Sequence, residues 1–184
     1  MIHGFHSILS AYGFWLPNEP RGSWSDFVGA WDLFYYGPAT KVDTHRSVAH
    51  RPYDRALKRD MQRAMKYKPV RFTGIQAKLI GEALQRVPYP IHAFAMMKNH
   101  GHLVLGRIDR DVRRAIGHIK SEATRALRGH GFFLDHAPWA DHGWNVYLNS
   151  ADDMRRAVDY TNANPKRDGL PRQKWNCVTP YVIE

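Results

Sequence analysis

Cysteine is all but missing from this 184-residue chain. The single Cys177 excludes an intramolecular disulfide and any zinc site built from several thiolates. No positively charged leader with an apolar centre precedes the first strand-like segment, so the cytoplasm is the expected location. No apolar run approaches the length that spans a bilayer, which removes membrane-embedded function classes. The P-loop pattern that cradles nucleotide phosphates is also absent, and this argues against an ATP-driven enzyme. Without internal repeats or low-complexity tracts, the expected organisation is one domain over residues 1–184, with an insertion at 13–50 and a C-terminal tail at 166–184.

Acidic residues are outnumbered, 17 against 27 Lys and Arg, which leaves a net charge of +10. A field of that sign gathers polyanions before any specific contact forms, so nucleic acid is the first partner to test. Two stretches concentrate the charge. Residues 51–72 hold eight basic and two acidic side chains, and residues 98–128 hold eight and three, making these the expected phosphate-tracking surfaces. Hydrophobic residues at 43% supply enough apolar surface to exclude a mainly disordered chain.

The pattern from Phe5 to Tyr12 predicts a strand with His6, Ile8, Ser10 and Tyr12 on one face. Residues 13–50 then lack sustained periodicity and are broken by Pro and Gly, an aromatic-rich insertion. Its Trp15, Trp24, Trp31, Tyr35 and Tyr36 either pack the loop onto the domain or stack on unpaired bases. Helices are expected over 52–66 and from Thr73, where Thr73 and Gln76 spell a capping box, with Pro88 and Pro90 ending the second. Strands at 91–97 and 100–105 form a hairpin through Lys98-Asn99. A long helix over 109–128 follows, with Gly129 as its expected left-handed cap. A strand at 144–148 precedes a last helix over 151–163, capped by Ser150. This order fits an α+β fold of the ferredoxin-like class, an antiparallel sheet with helices on one face.

His100 and His102 lie two apart on a strand, so both imidazoles project from the same face and can converge on one ion. In a chain with eleven histidines such a pair also arises by chance. In the last helix the apolar stripe is Met154, Ala157, Val158 and Thr161, whereas Arg156, Tyr160 and Asn164 recur four apart on another face. Asn164 precedes Pro165, which places the expected end of the helix there. Its amide oxygen, one turn beyond the phenol, can complete a His, His, Asn set suited to a hard divalent cation such as Mg or Mn. Tyr160 as a packing residue and Asn164 as an ordinary helix exit are the plain alternatives.

The segment MMKNHGHLVL resembles the HUH motif of single-tyrosine HUH endonucleases, and VDYTNANPKRDGL resembles the Tyr-x-x-x-Asn-Pro segment of REP-associated tyrosine transposases. The likeness runs from the first strand through IKSEATRAL to residue 170. It implies an HUH endonuclease fold with His100 and His102 as metal ligands, Tyr160 as nucleophile and Asn164 as third ligand. It also implies a divalent cation, Mg or Mn, and single-stranded DNA with a hairpin as substrate. The reaction implied is cleavage and rejoining of that strand through a 5′-phosphotyrosine link.

Two departures stand out. Gly101 occupies the middle of the motif, where the family carries a bulky hydrophobe, which predicts a looser strand; and residues 13–50 exceed the short connection of small members. Lys120, Arg125 and Arg156 are candidate phosphate contacts. The rival readings are a replication initiator or relaxase, a catalytically silent nucleic-acid-binding domain, and a metal-dependent hydrolase built on the His pair. Monomer and homodimer are both open, and a dimer would allow Tyr160 of one subunit to face the histidines of the other.

Overall fold

The computed structural model describes residues 1–16, 52, 54–141 and 143–182. Four strands form one antiparallel sheet: β1 (Gly4–Ser10), β2 (Ile91–Met96), β3 (His100–Gly106) and β4 (Trp144–Leu148), in the order β2-β3-β1-β4. The α-helices among the described residues are α1 (Arg55–Ala64), α2 (Gly74–Ala83), α3 (Val112–Gly129) and α4 (Ala151–Arg167). The α+β class with an antiparallel sheet is as the sequence indicates.

The helices do not all lie on one face. Along β3 the side chains alternate, with Leu103 and Leu105 in a large cluster that includes Ile80 and Leu84, and Ile116, Ile119 and Leu127 of α3. Val104, between them, joins a separate small cluster with Ala93, Leu148 and the α4 residues Met154 and Ala157. A sheet whose two faces are both apolar must be covered on both, so α2 and α3 take one side and α4 the other. The expectation of a single helical face is corrected by this alternation.

Local signals set most boundaries. Asp54 caps α1 by accepting from the Ala56 and Leu57 amides, so that helix starts later than Pro52. Thr73 and Gln76 make the full reciprocal capping box on α2. Asp111 caps α3 by accepting from the Arg114 amide, two residues past the expected start at Asp109. Gly129 belongs to α3 itself, and the left-handed residue beyond it is Gly131, at φ 79°.

The last helix overruns its expected stop at Asn164. Proline removes one amide donor and one intrahelical bond, yet α4 continues through a buried Pro165 to Arg167. What ends it is Gly169 at φ 69°: its amide donates to the Lys166 carbonyl at 3.1 Å and the Leu170 amide donates to Pro165 at 2.7 Å. That pair of reversed bonds is the Schellman motif, and glycine adopts the required φ without steric cost.

β3 is paired with β1 along its whole length and with β2 from Gly101 to Leu105, Gly101 lying opposite Leu9 of β1 and Met96 of β2. A Cβ at Gly101 would sit 3.0 Å from Met96 Sδ. The methionine fills the space the missing side chain leaves, and the strand is not loosened there. Of the aromatic insertion, Trp24, Trp31, Tyr35 and Tyr36 lie outside the described residues. Trp15 is within them, donating its indole N–H to Ser10 Oγ at 3.0 Å and packing on Phe14, so this one ring is tied to the domain.

Candidate active site

The face of the sheet covered by α4 carries His6, His100 and His102. β1 and β3 run antiparallel with Ile8 opposite His102, which sets His6 diagonally beside His102 on the same face. His6 Nε2 lies 3.0 Å from His102 Nδ1, a hydrogen bond in which one ring donates to the other. Both rings are buried, at 9% and 4% exposure. Burial pushes His6 down to about 4. It pushes His102 to about 3, with the charges of His100 and His6 adding to the effect. At neutral pH both imidazoles are therefore neutral, the state in which a ring nitrogen can bind a cation.

His100 stands at the start of β3, its ring 5.0 Å from that of His102 and nearly perpendicular to it. Phe14 stacks on it at 4.7 Å, and its Nδ1 lies 2.9 Å from Asn99 Oδ1. Each motif histidine thus has its Nδ1 engaged by a neighbour. In the tautomer where Nδ1 carries the proton, Nε2 of each carries the ring's lone pair. Outer partners of this kind fix ring orientation at metal sites.

Tyr160 reaches this face from α4. Met154, Ala157, Thr161 and Pro165 turn inward and are buried, which puts Tyr160 at the rim of the helix, 43% exposed. Its ring centroid lies 5.4 Å from that of His102 and 5.7 Å from that of His6, edge-on to both. The Arg167 guanidinium lies over the same ring at 5.2 Å. Tyr160 and the histidines meet within one chain.

Asn164 is one turn on, and its amide donates to the Tyr160 carbonyl at 2.9 Å. No described hydrogen bond joins it to the histidines. Among the described residues no group of three or more His, Cys, Asp or Glu is placed to hold a metal ion. His100 and His102, each with its Nδ1 engaged, fit a divalent cation as a partial set, and a third protein donor would have to be of another kind, such as the Asn164 amide oxygen.

The three candidate phosphate contacts each have a partner inside the protein. Lys120 donates to the Ala140 carbonyl at 2.7 Å, and burial brings its ammonium down to about 8, against the raising effect of Asp141. Arg125 pairs with Glu122, and Arg156 with Asp153 at 2.6 Å. The residue that sequence reasoning passed over is His6. Its signal was a histidine alternating with apolar residues in a core strand, but only the β1–β3 register brings it to His102.

No protein-family model and no curated protein matches the sequence. Among solved structures, the chain is similar to one described as a REP-associated tyrosine transposase bound to a REP hairpin. The identity is 22%, the TM-score 0.47, and the match covers 58% of this chain and 64% of that one. The chain therefore matches less than two thirds of that protein's length. No described helix is long and apolar enough to cross a membrane.

Proposed function

We propose that this protein is a metal-dependent single-stranded DNA endonuclease and transposase that cuts and rejoins DNA at hairpin-bearing repeats through Tyr160. The observation that carries the reading is the approach of Tyr160 to His102 within one chain, at 5.4 Å between rings, across elements far apart in sequence. The resemblance of the HGH strand and the Tyr-x-x-x-Asn-Pro helix to REP-associated tyrosine transposases supports it, as does the net charge of +10.

In this reading Tyr160 Oη attacks phosphorus, the bond from phosphorus to the 3′ oxygen breaks, and the leaving oxygen takes a proton to become a 3′-hydroxyl. The product is a 5′-phosphotyrosine. The phosphodiester energy is conserved in that link, so a second 3′-hydroxyl can reverse the step without nucleotide hydrolysis. A phenol with an ordinary pKa near 10 is a weak nucleophile at neutral pH, and a Mg or Mn ion held by His100, His102 and Asn164 would polarise the scissile phosphate. His6 holds the His102 ring from its Nδ1 side. The rim position of Tyr160 leaves the phenol open to a strand arriving from solvent and lets its proton leave there.

The test incubates the protein and Mg or Mn with labelled single-stranded hairpin DNA from the flanks of its own gene. The expected result is a denaturant-resistant protein–DNA adduct that needs metal and is lost in both Tyr160→Phe and His102→Ala. Binding without any adduct, on any flank and with either metal, would instead indicate a silent nucleic-acid-binding domain.

A further inference from the structure

We propose that the cavity at the C-terminal end of α4 binds the sugar-phosphate backbone of a single DNA strand, next to the phosphate that Tyr160 attacks. This rests on the reading of Tyr160 as the nucleophile. The cavity has a volume of about 450 Å³ and is lined by Asn162, Ala163, Lys166, Arg167 and Arg172. That volume is within the range of sites that hold molecules of nucleotide size. Three of its five lining residues are cations and none is acidic.

Backbone geometry assembles this cluster. The turn at Gly169 reverses the chain, through the Leu170 bond to Pro165 and the Gly169 bond to Lys166, so that Arg172 returns beside the last turn of α4. The next residue then anchors the tail to the sheet. Gln173 accepts from the Met96 amide at 2.8 Å and donates to the Met96 carbonyl at 2.7 Å, using its side chain as a strand would use its backbone. Holding three like charges together gains nothing by itself, whereas a strand with a phosphate at every nucleotide gains at each one it brings to a cation.

The phosphate contacts expected from the sequence are already engaged. Lys120, Arg125 and Arg156 have acceptors within the protein. Lys166, Arg167 and Arg172 form no ion pair with a described residue, and the Arg167 guanidinium over the Tyr160 ring connects the cavity to the nucleophile. A strand whose phosphate is presented to Tyr160 would run its next phosphates past these cations.

The experiment measures binding of a fluorescein-labelled oligothymidine strand by anisotropy across a salt series. It compares wild type, the double variant Lys166→Ala/Arg172→Ala, and Lys78→Ala as a control for general charge loss. Arg167 is left in place so that its stacking on Tyr160 is undisturbed, and melting temperatures confirm folding. The double variant should bind roughly tenfold or more weakly at low salt, and its salt slope should fall by about 0.7 for each phosphate no longer neutralised, while Lys78→Ala stays near wild type. Unchanged affinity and slope in the double variant, with wild-type binding and adduct formation intact, would overturn the proposal and leave Tyr160 as the nucleophile. A wild type that does not bind the strand would overturn both.

Discussion

The two faces of the sheet are built for different purposes. Beneath α2 and α3 the buried side chains form one large apolar cluster, from Phe5 and Leu9 through Leu103 and Leu105 to Ile119 and Leu127. Beneath α4 the apolar cluster is small, and beyond it the strands offer His6 and His102 to a half-exposed tyrosine, with His100 beside His102. Burying neutral imidazoles contributes less than burying aliphatic carbon and requires hydrogen-bond partners. The comparison teaches that one face supplies stability and the other gives part of it up to hold polar rings beside a tyrosine.

Substitutions that act on one face alone test this division. The largest expected loss of stability comes from the apolar side. Ile119→Ala, at a fully buried position, should destabilise by about 2–5 kcal/mol in urea denaturation, while the folded fraction keeps its adduct-forming activity. A comparable loss from Tyr160→Phe would break the comparison. On the other face, His6→Phe keeps a ring but removes the partner of His102 Nδ1. It should weaken Mn binding, followed by calorimetry, by roughly 10–100-fold. Affinity equal to wild type would deny His6 any part in the site.

A third effect is a matter of pH. His6 and His102 sit at about 4 and about 3 in the folded protein, against an ordinary 6.5. As pH falls through 6.5 the unfolded chain binds protons first, so stability is lost on acidification and is fully present above that pH. Each ring should cost about 1.4 kcal/mol per pH unit below 6.5, down to its folded value. Melting curves between about pH 7.5 and about pH 5 should show this slope, and His6→Phe should reduce it. A flat profile would mean that these rings are not buried as neutral groups.

Much of this architecture is legible locally. The Thr73 capping box, the hairpin around Lys98-Asn99 and the off-stripe position of Tyr160 depend on residues within a few positions of one another. The spacings Glu122–Arg125 and Asp153–Arg156 are just as local, and they already mark two of the candidate phosphate contacts as internally paired. What the sequence hides is non-local. The partnership of His6 with His102 depends on strand register, the cluster at Lys166, Arg167 and Arg172 on a turn set by Gly169, and the second helical face on how β3 is covered. Pro165 is a stronger stop signal in the sequence than in the fold, because a buried proline in the last turn removes only one bond from the helix.

The central claim is that Tyr160 becomes covalently attached to DNA. Trypsin would release residues 157–166 as a peptide whose single tyrosine is Tyr160. Mass spectrometry of the nuclease-trimmed, metal-dependent adduct should find this peptide carrying a 5′-phosphonucleotide. The same mass on a peptide containing any other tyrosine, or an adduct that persists in Tyr160→Phe, would contradict the account.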